Sequence, residues 1–206
     1  MARHHPWRPG RPVGYFDIPR ELFIEREIPP GPDGLGELKF YTFGERITRI
    51  VHISGRFDGM RANVWIPDDK GTLQRSEHRA AVAPPDPSRP LPARIDQALQ
   101  IARRLGSEFD HLRVDLLWDG AQLWLGELTV YNQSGRFPGK EGTDPEAVTA
   151  GAWDLRRSAF LRQPPSRGWR ALYARALRRA LNDPHQVRLP PLLQRLAKPL
   201  KPLRSG

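Results

Sequence analysis

The sequence predicts an α+β fold, an antiparallel sheet with one helix packed behind it, followed by a basic C-terminal helix. Three observations predict it. An Asp119-Gly120 pair sits between alternating apolar runs within the stretch Arg113–Thr129, which is a strong hairpin signal. A second pair of alternating runs, Glu37–Phe43 and Ile47–Ile53, flanks Gly44-Glu45. Between the two hairpins, Ile95, Ala98, Leu99, Ala102 and Leu105 recur at helical spacing. Strands followed by one helix on an antiparallel sheet belong to the α+β class.

Taken in order, residues 1–19 are rich in Pro, Arg and His and predict an irregular arm, in which His4 and His5 are an exposed terminal pair. Leu22–Ile28 alternates like a short strand and is stopped by Pro29-Pro30-Gly31-Pro32-Asp33-Gly34. In the next strand Glu37, Lys39 and Tyr41 share one face, with Leu38 and Phe40 on the other. Ala62–Pro67 predicts a further strand, ended by Asp68-Asp69-Lys70-Gly71, and residues 83–92 a proline-broken loop. Ala93–Leu105 is the helix, with Gly106 as its stop. After the main hairpin, Asn132–Gly142 is polar and glycine-rich, suited to a loop over a ligand or simply to a loop. Arg167–Leu181 is a second helix, with Trp169, Leu172, Tyr173, Ala176, Leu177, Ala180 and Leu181 as its docking stripe and arginines elsewhere. The expected organisation is an arm at 1–19, a domain at 20–162, and a basic helix with a Pro-rich tail at 163–206.

Composition narrows the function classes. The 206 residues contain no cysteine, which excludes disulfides, thiolate metal sites and a Cys nucleophile. The 22 prolines are about twice average usage and imply many loops. The first residues contain no apolar signal core and no run is long enough to span a bilayer, so the expected location is cytoplasmic. The net charge of +10 is unevenly placed. Residues 156–206 hold thirteen Lys and Arg against one acid, Asp183, while the rest of the chain holds 20 basic and 22 acidic side chains. The domain that carries the hairpins is therefore near neutral, and no polyanion-binding argument applies to it. In the tail, basic residues do not interleave with stacking aromatics, so no nucleic acid partner is expected. The basic helix suits either an anionic membrane surface or docking on the domain with its arginines solvated.

The chemistry is carried by Arg113, Asp115 and Glu127. Arg113 and Asp115 point away from the core-facing Leu112, Val114, Leu116 and Trp118. With a two-residue loop Arg113 lies opposite Gly126 and Glu127 faces the wrong side. With a three-residue loop, Asp119 to Ala121, Arg113 lies opposite Glu127 and all three charges share one site. The second geometry is the expectation. Two carboxylates on one surface repel unless a cation lies between them. Their hard oxygens suit Mg²⁺, which completes its shell with waters and phosphates, and Arg113 then offers a second positive group. The alternatives are a solvated face on which Arg113 pairs with one acid, and a glycosidase-type acid/base pair. Nothing else in the sequence resembles a sugar cleft.

The succession of Ile24-Glu25-Arg26-Glu27-Ile28, Glu37-Leu38-Lys39-Phe40-Tyr41-Thr42-Phe43-Gly44, a helix ending in Gly106-Ser107-Glu108-Phe109, Arg113-Val114-Asp115-Leu116 and Gly126-Glu127-Leu128-Thr129 resembles the C-terminal half of ATP-grasp enzymes. It is most similar to the TupA-like branch, amidoligase-type proteins of cell-surface polysaccharide and teichuronopeptide biosynthesis. The similarity covers roughly residues 20–162, with 109–135 its specific part. The resemblance implies ATP and Mg²⁺ as cofactors and small carboxylate and amine substrates. It implies that backbone groups of Arg26 to Ile28, after Glu25, hold the adenine. Glu37 falls near the ribose and Lys39 near the phosphates. Asp115 and Glu127 become the Mg²⁺ ligands, and Arg113 the group that reaches substrate or transferred phosphate. Thr129 stands where many ATP-grasp enzymes place an Asn ligand.

The implied reaction is phosphorylation of a carboxylate by ATP followed by amine attack on the acyl phosphate, with no covalent enzyme intermediate. ATP-grasp enzymes also carry an upstream Lys-bearing strand and a flexible Gly-rich loop, which the first 14 residues do not supply. The expectations are therefore two. One is a ligase, truncated or completed by a partner. The other is a non-catalytic remnant that acts as an interaction module through its basic helix, at an anionic membrane's inner face or on an acidic partner.

Overall fold

Alternation along Gly36–Phe43 (β1) sends Leu38 and Phe40 to one face of the sheet, where both are fully buried, and Glu37, Lys39 and Tyr41 to the other. A computed structural model describes residues 19, 21–77, 80, 82–130 and 151–182. The strands that follow are β2 (Arg46–Ser54), β3 (Arg61–Pro67), β4 (Leu73–Arg75), β5 (Leu112–Trp118) and β6 (Leu123–Thr129). They form one antiparallel sheet in the order β4-β3-β2-β1-β5-β6, with β1 at its centre. The α+β expectation holds. β4, only three residues long, carries too short an alternation to be visible in the sequence.

The helix α1 (Ile95–Gly106) covers one face. Its Ala98, Leu99 and Ala102 are buried against Leu38, Phe40, Ile47, Ile50, Leu112, Val114 and Leu116, with Ile95 and Leu105 at the margin. Each large side chain buried here contributes about 1.5–3 kcal/mol relative to exposure. Small residues on the helix let it lie close. At Gly106 a Cβ would stand 2.3 Å from Thr42 Oγ1 and 2.7 Å from the Gly44 carbonyl oxygen. The last turn carries Arg103 and Arg104 and the first turn Asp96, the signs that the helix dipole favours.

The opposite face divides in two. Over β2 and β3, Tyr41, Val51, Ile53, Ala62 and Val64 form a second apolar cluster. Over β1, β5 and β6 the face is polar.

One expected strand is absent. Leu22–Ile28 is an irregular segment, exposed except for the half-buried Ile28, with Leu22, Phe23 and Ile24 in solvent. Its alternation is strand-like, but nothing among the described residues pairs with it, and an unpaired strand leaves its backbone groups unsatisfied. Glu25, Arg26 and Ile28 therefore lie on irregular backbone. The following turn is better anchored: a Cβ at Gly31 would collide with the Asp119 carbonyl oxygen, so bare backbone meets bare backbone there.

The contacts divide the chain into a unit through Asp154 and a second from Leu155. The second unit holds a 3-10 turn (Leu155–Arg157), a one-turn helix α2 (Ala159–Arg162) capped by Ser158, and α3 (Gly168–Asn182). The expected docking stripe of α3 is corrected in part: Leu177, Ala180 and Leu181 are half-buried, but its other four residues are exposed. Ala171 and Ala174 are its buried residues, the Arg178 guanidinium donates to the Leu161 carbonyl, and Trp169, Leu172 and Tyr173 are exposed. Two alanines admit closer packing on the short elements than the bulky stripe would. Residues 1–18 of the arm, including His4 and His5, the 132–142 loop and the tail from 189 lie outside the described residues.

Candidate functional site

Register places the polar side chains in rows across three strands. Lys39 of β1 is opposite Asp115 of β5, and Asp115 is opposite Glu127 of β6. The neighbouring row is Tyr41, Arg113 and Thr129. Glu37 lies one step along β1, opposite Leu117. Seven polar side chains thus share one face because residues at cross-strand positions point the same way.

Both loop geometries considered for the hairpin are corrected. The loop is four residues long, Asp119–Gln122, closed by Leu123 opposite Trp118. Asp119 Oδ1 accepts from the N–H groups of Ala121 and Gln122 at 2.8 and 2.7 Å, and Oδ2 accepts from Trp124 Nε1 at 2.8 Å. These donors hold the Asp119 carboxyl below its ordinary pKa, the Gln122 N–H most strongly. Gly120 supplies the positive φ of +97°. On that register alone Glu127 would face the core. Gly126 is an extra residue bulged between the Leu116–Leu125 and Asp115–Glu127 pairs, and it turns Glu127 onto the face of Asp115. The convergence expected of Arg113, Asp115 and Glu127 is present, produced by a bulge rather than by the loop.

The charges alternate in a chain. Arg56, from the turn after β2, binds Glu37. Lys39 Nζ donates to Glu37 Oε1 at 2.5 Å and to Asp115 Oδ2 at 2.6 Å. Arg113 Nε donates to Asp115 Oδ1 at 2.7 Å, and its terminal nitrogen to Asp115 Oδ2 at 2.8 Å and Glu127 Oε2 at 3.1 Å. Thr129 Oγ1 donates to Glu127 Oε1 at 2.6 Å. Three carboxylates thus meet three cations. Burial disfavours the Arg113 charge, but hydrogen bonds and negative charge from Asp115, then Glu127, outweigh it and raise the guanidinium above its ordinary pKa. Beside them, Arg49 lies over the Tyr41 ring at 4.1 Å.

Asp115 and Glu127 present hard oxygens from directly opposed positions, the donor type that Mg²⁺ takes when waters and phosphates complete its shell. No group of three acidic or His side chains suited to a metal occurs among the described residues, so any ion here depends on ligands from outside the sheet. The residues present fit that arrangement. Arg56 was not foreseen, although the β1–β2 hairpin puts Ile53 opposite Glu37 and so carries the next turn to the Glu37 end. Glu25, Arg26 and Ile28 are not brought into the cluster by any contact among the described residues.

No curated protein and no solved structure matches the chain. The family model of the TupA-like ATP-grasp proteins matches residues 6–145, which starts within the expected arm and takes in every strand described above. That match spans well over half of the sequence and covers every side chain of the charge cluster, and the chain accordingly belongs to the TupA-like ATP-grasp family.

Proposed function

We propose that the sheet face of β1, β5 and β6 binds ATP with Mg²⁺ for a carboxylate–amine ligase of cell-surface polysaccharide assembly. The observation that supports it is the cross-strand row of Lys39, Asp115 and Glu127 with Arg113 between the two acids. Asp115 and Glu127 would hold the metal, which neutralises phosphate charge and polarises the transferred phosphoryl group. Lys39 and Arg113 supply fixed positive charge for phosphate oxygens, Arg113 in a forked geometry suited to phosphate or carboxylate. Thr129 orients Glu127, and Arg56 holds Glu37 on the same face.

In this reading a substrate carboxylate oxygen attacks the γ-phosphorus, giving ADP and an acyl phosphate. An amine then attacks the acyl carbon, the C–O bond to phosphate breaks, and the amine proton leaves to solvent. Neither step needs an enzyme nucleophile, which agrees with a face built of charges and a threonine. The exposed Glu25–Ile28 backbone is offered to the adenine, and the need for ATP argues for a cytoplasmic reaction. No helix among the described residues is long and apolar enough to cross a membrane.

Calorimetric titration of the full chain with ATP, with and without Mg²⁺, tests the proposal. Binding should require Mg²⁺, weaken at least about tenfold in Glu127→Gln and vanish in Asp115→Asn with Glu127→Gln. Unchanged binding by that double variant, folded by circular dichroism, removes the reading.

A further inference from the structure

The second unit presents a surface that nucleotide chemistry does not use. At 3.6 residues per turn, Trp169, Leu172, Tyr173 and Ala176 share one arc of α3, and the buried Ala171 and Ala174 lie on the opposite side. Trp169 is 70% exposed, Leu172 67% and Tyr173 41%, so the largest apolar groups of the helix face water. Phe160 extends the patch, its ring 5.9 Å from that of Tyr173. Arg170 borders the arc on one margin, and Arg175 and Arg179 on the other. Arg170 already leans on the Trp169 ring, 5.6 Å from its centre. From Leu155 to Asn182 the sequence holds eight arginines and no acid.

We infer that α3 lies in the headgroup region of an anionic lipid surface, with Trp169, Leu172 and Tyr173 buried among the upper acyl chains. Three features select this occupant. The charge of the unit is of one sign and complements acidic headgroups. The arginines flank the apolar arc instead of interrupting it, so their alkyl stems can follow the apolar residues inward while the guanidinium groups stay at phosphate level. Trp and Tyr combine a large apolar body with a polar tip, the chemistry suited to that depth. The inference is independent of the nucleotide reading.

The experiment is co-sedimentation of the full chain with vesicles of phosphatidylcholine alone and with about a third phosphatidylglycerol. The chain should sediment with the anionic vesicles and not with the neutral ones. Trp169→Ser with Leu172→Ser should weaken binding about tenfold or more, and Arg175→Glu with Arg179→Glu should do the same. All four positions are exposed, so circular dichroism and ATP titration should match the parent protein. Binding that ignores phosphatidylglycerol overturns the proposal. So does full affinity in the Trp169/Leu172 variant, which would mark simple polycation attraction. Capture by an acidic peptide or an oligonucleotide without vesicle binding overturns it as well.

Discussion

Asp115 and Glu127 face each other across β5 and β6, yet the Asp115 side chain is 2% exposed and that of Glu127 59%. One member of the pair is embedded between Lys39 and Arg113, and the other is held at the rim.

The two should therefore respond differently to neutralisation. Glu127→Gln should cost less than about 1 kcal/mol, as for exposed ion pairs. Asp115→Asn leaves Lys39 and Arg113 facing one another with less compensation. It should cost about 2–4 kcal/mol, somewhat below a fully buried pair because both cations keep some solvent. Urea denaturation of the two single variants checks the difference, and equal midpoints would contradict it.

Lys39 bridges two carboxylates that each have a second cation, Arg56 for Glu37 and Arg113 for Asp115. Lys39→Met should therefore destabilise without abolishing folding. A double-mutant cycle of Lys39→Met with Asp115→Asn should give a coupling of about 1–3 kcal/mol. Additive effects would show that the contact contributes nothing to stability.

His52 sets an acid limit on the fold. Burial, then the charges of Arg89 and Arg75, push its pKa down to about 4. The unfolded chain takes up this proton near pH 6.5, whereas the folded one resists it until about pH 4. The contribution of neutral His52 is thus complete above pH 6.5 and is lost as pH falls toward 4, on the order of 3 kcal/mol in all. His111, lowered mainly by burial, acts in the same direction. His52→Gln should flatten the fall of urea midpoint between pH 6.5 and 4.5, leaving the His111 part. An unchanged slope would refute the assignment.

Gly106 closes α1 against β1. Gly106→Ala places a methyl group within 2.7 Å of the Gly44 carbonyl oxygen, which is backbone and cannot rotate aside. The helix end must lift, at a cost of about 1–3 kcal/mol despite the better helix propensity of Ala. Thermal denaturation reads it directly, and a stabilised variant would contradict the packing described.

Much of this fold is legible in the residues. The alternation of Leu38 and Phe40 against Glu37 and Lys39 identified both faces of β1, and the spacing of Ile95, Ala98, Leu99 and Ala102 identified the helix behind it. Where prediction failed, a non-local or side-chain effect decided. Leu22–Ile28 has the pattern of a strand without a partner among the described residues. The Asp119 carboxylate satisfies two backbone N–H groups and so stabilises a longer turn than a bare Asp-Gly pair suggests. Gly126 then restores the facing of Glu127, an offset that periodicity cannot show. On α3 the small Ala171 and Ala174 won the buried side from Trp169 and Leu172, because close approach on short elements favours small side chains.

The charge chain from Arg56 to Glu127 is closed on itself, every acid already answered by a base. A lone anion drawn to Lys39 must strip that ammonium from Glu37 and Asp115, and a lone divalent cation must evict Arg113. Arriving together, each repairs the imbalance the other creates. Such a face responds weakly to either ion alone and admits the neutralised pair, so under the proposed function nucleotide and metal should each raise the affinity of the protein for the other by the same factor.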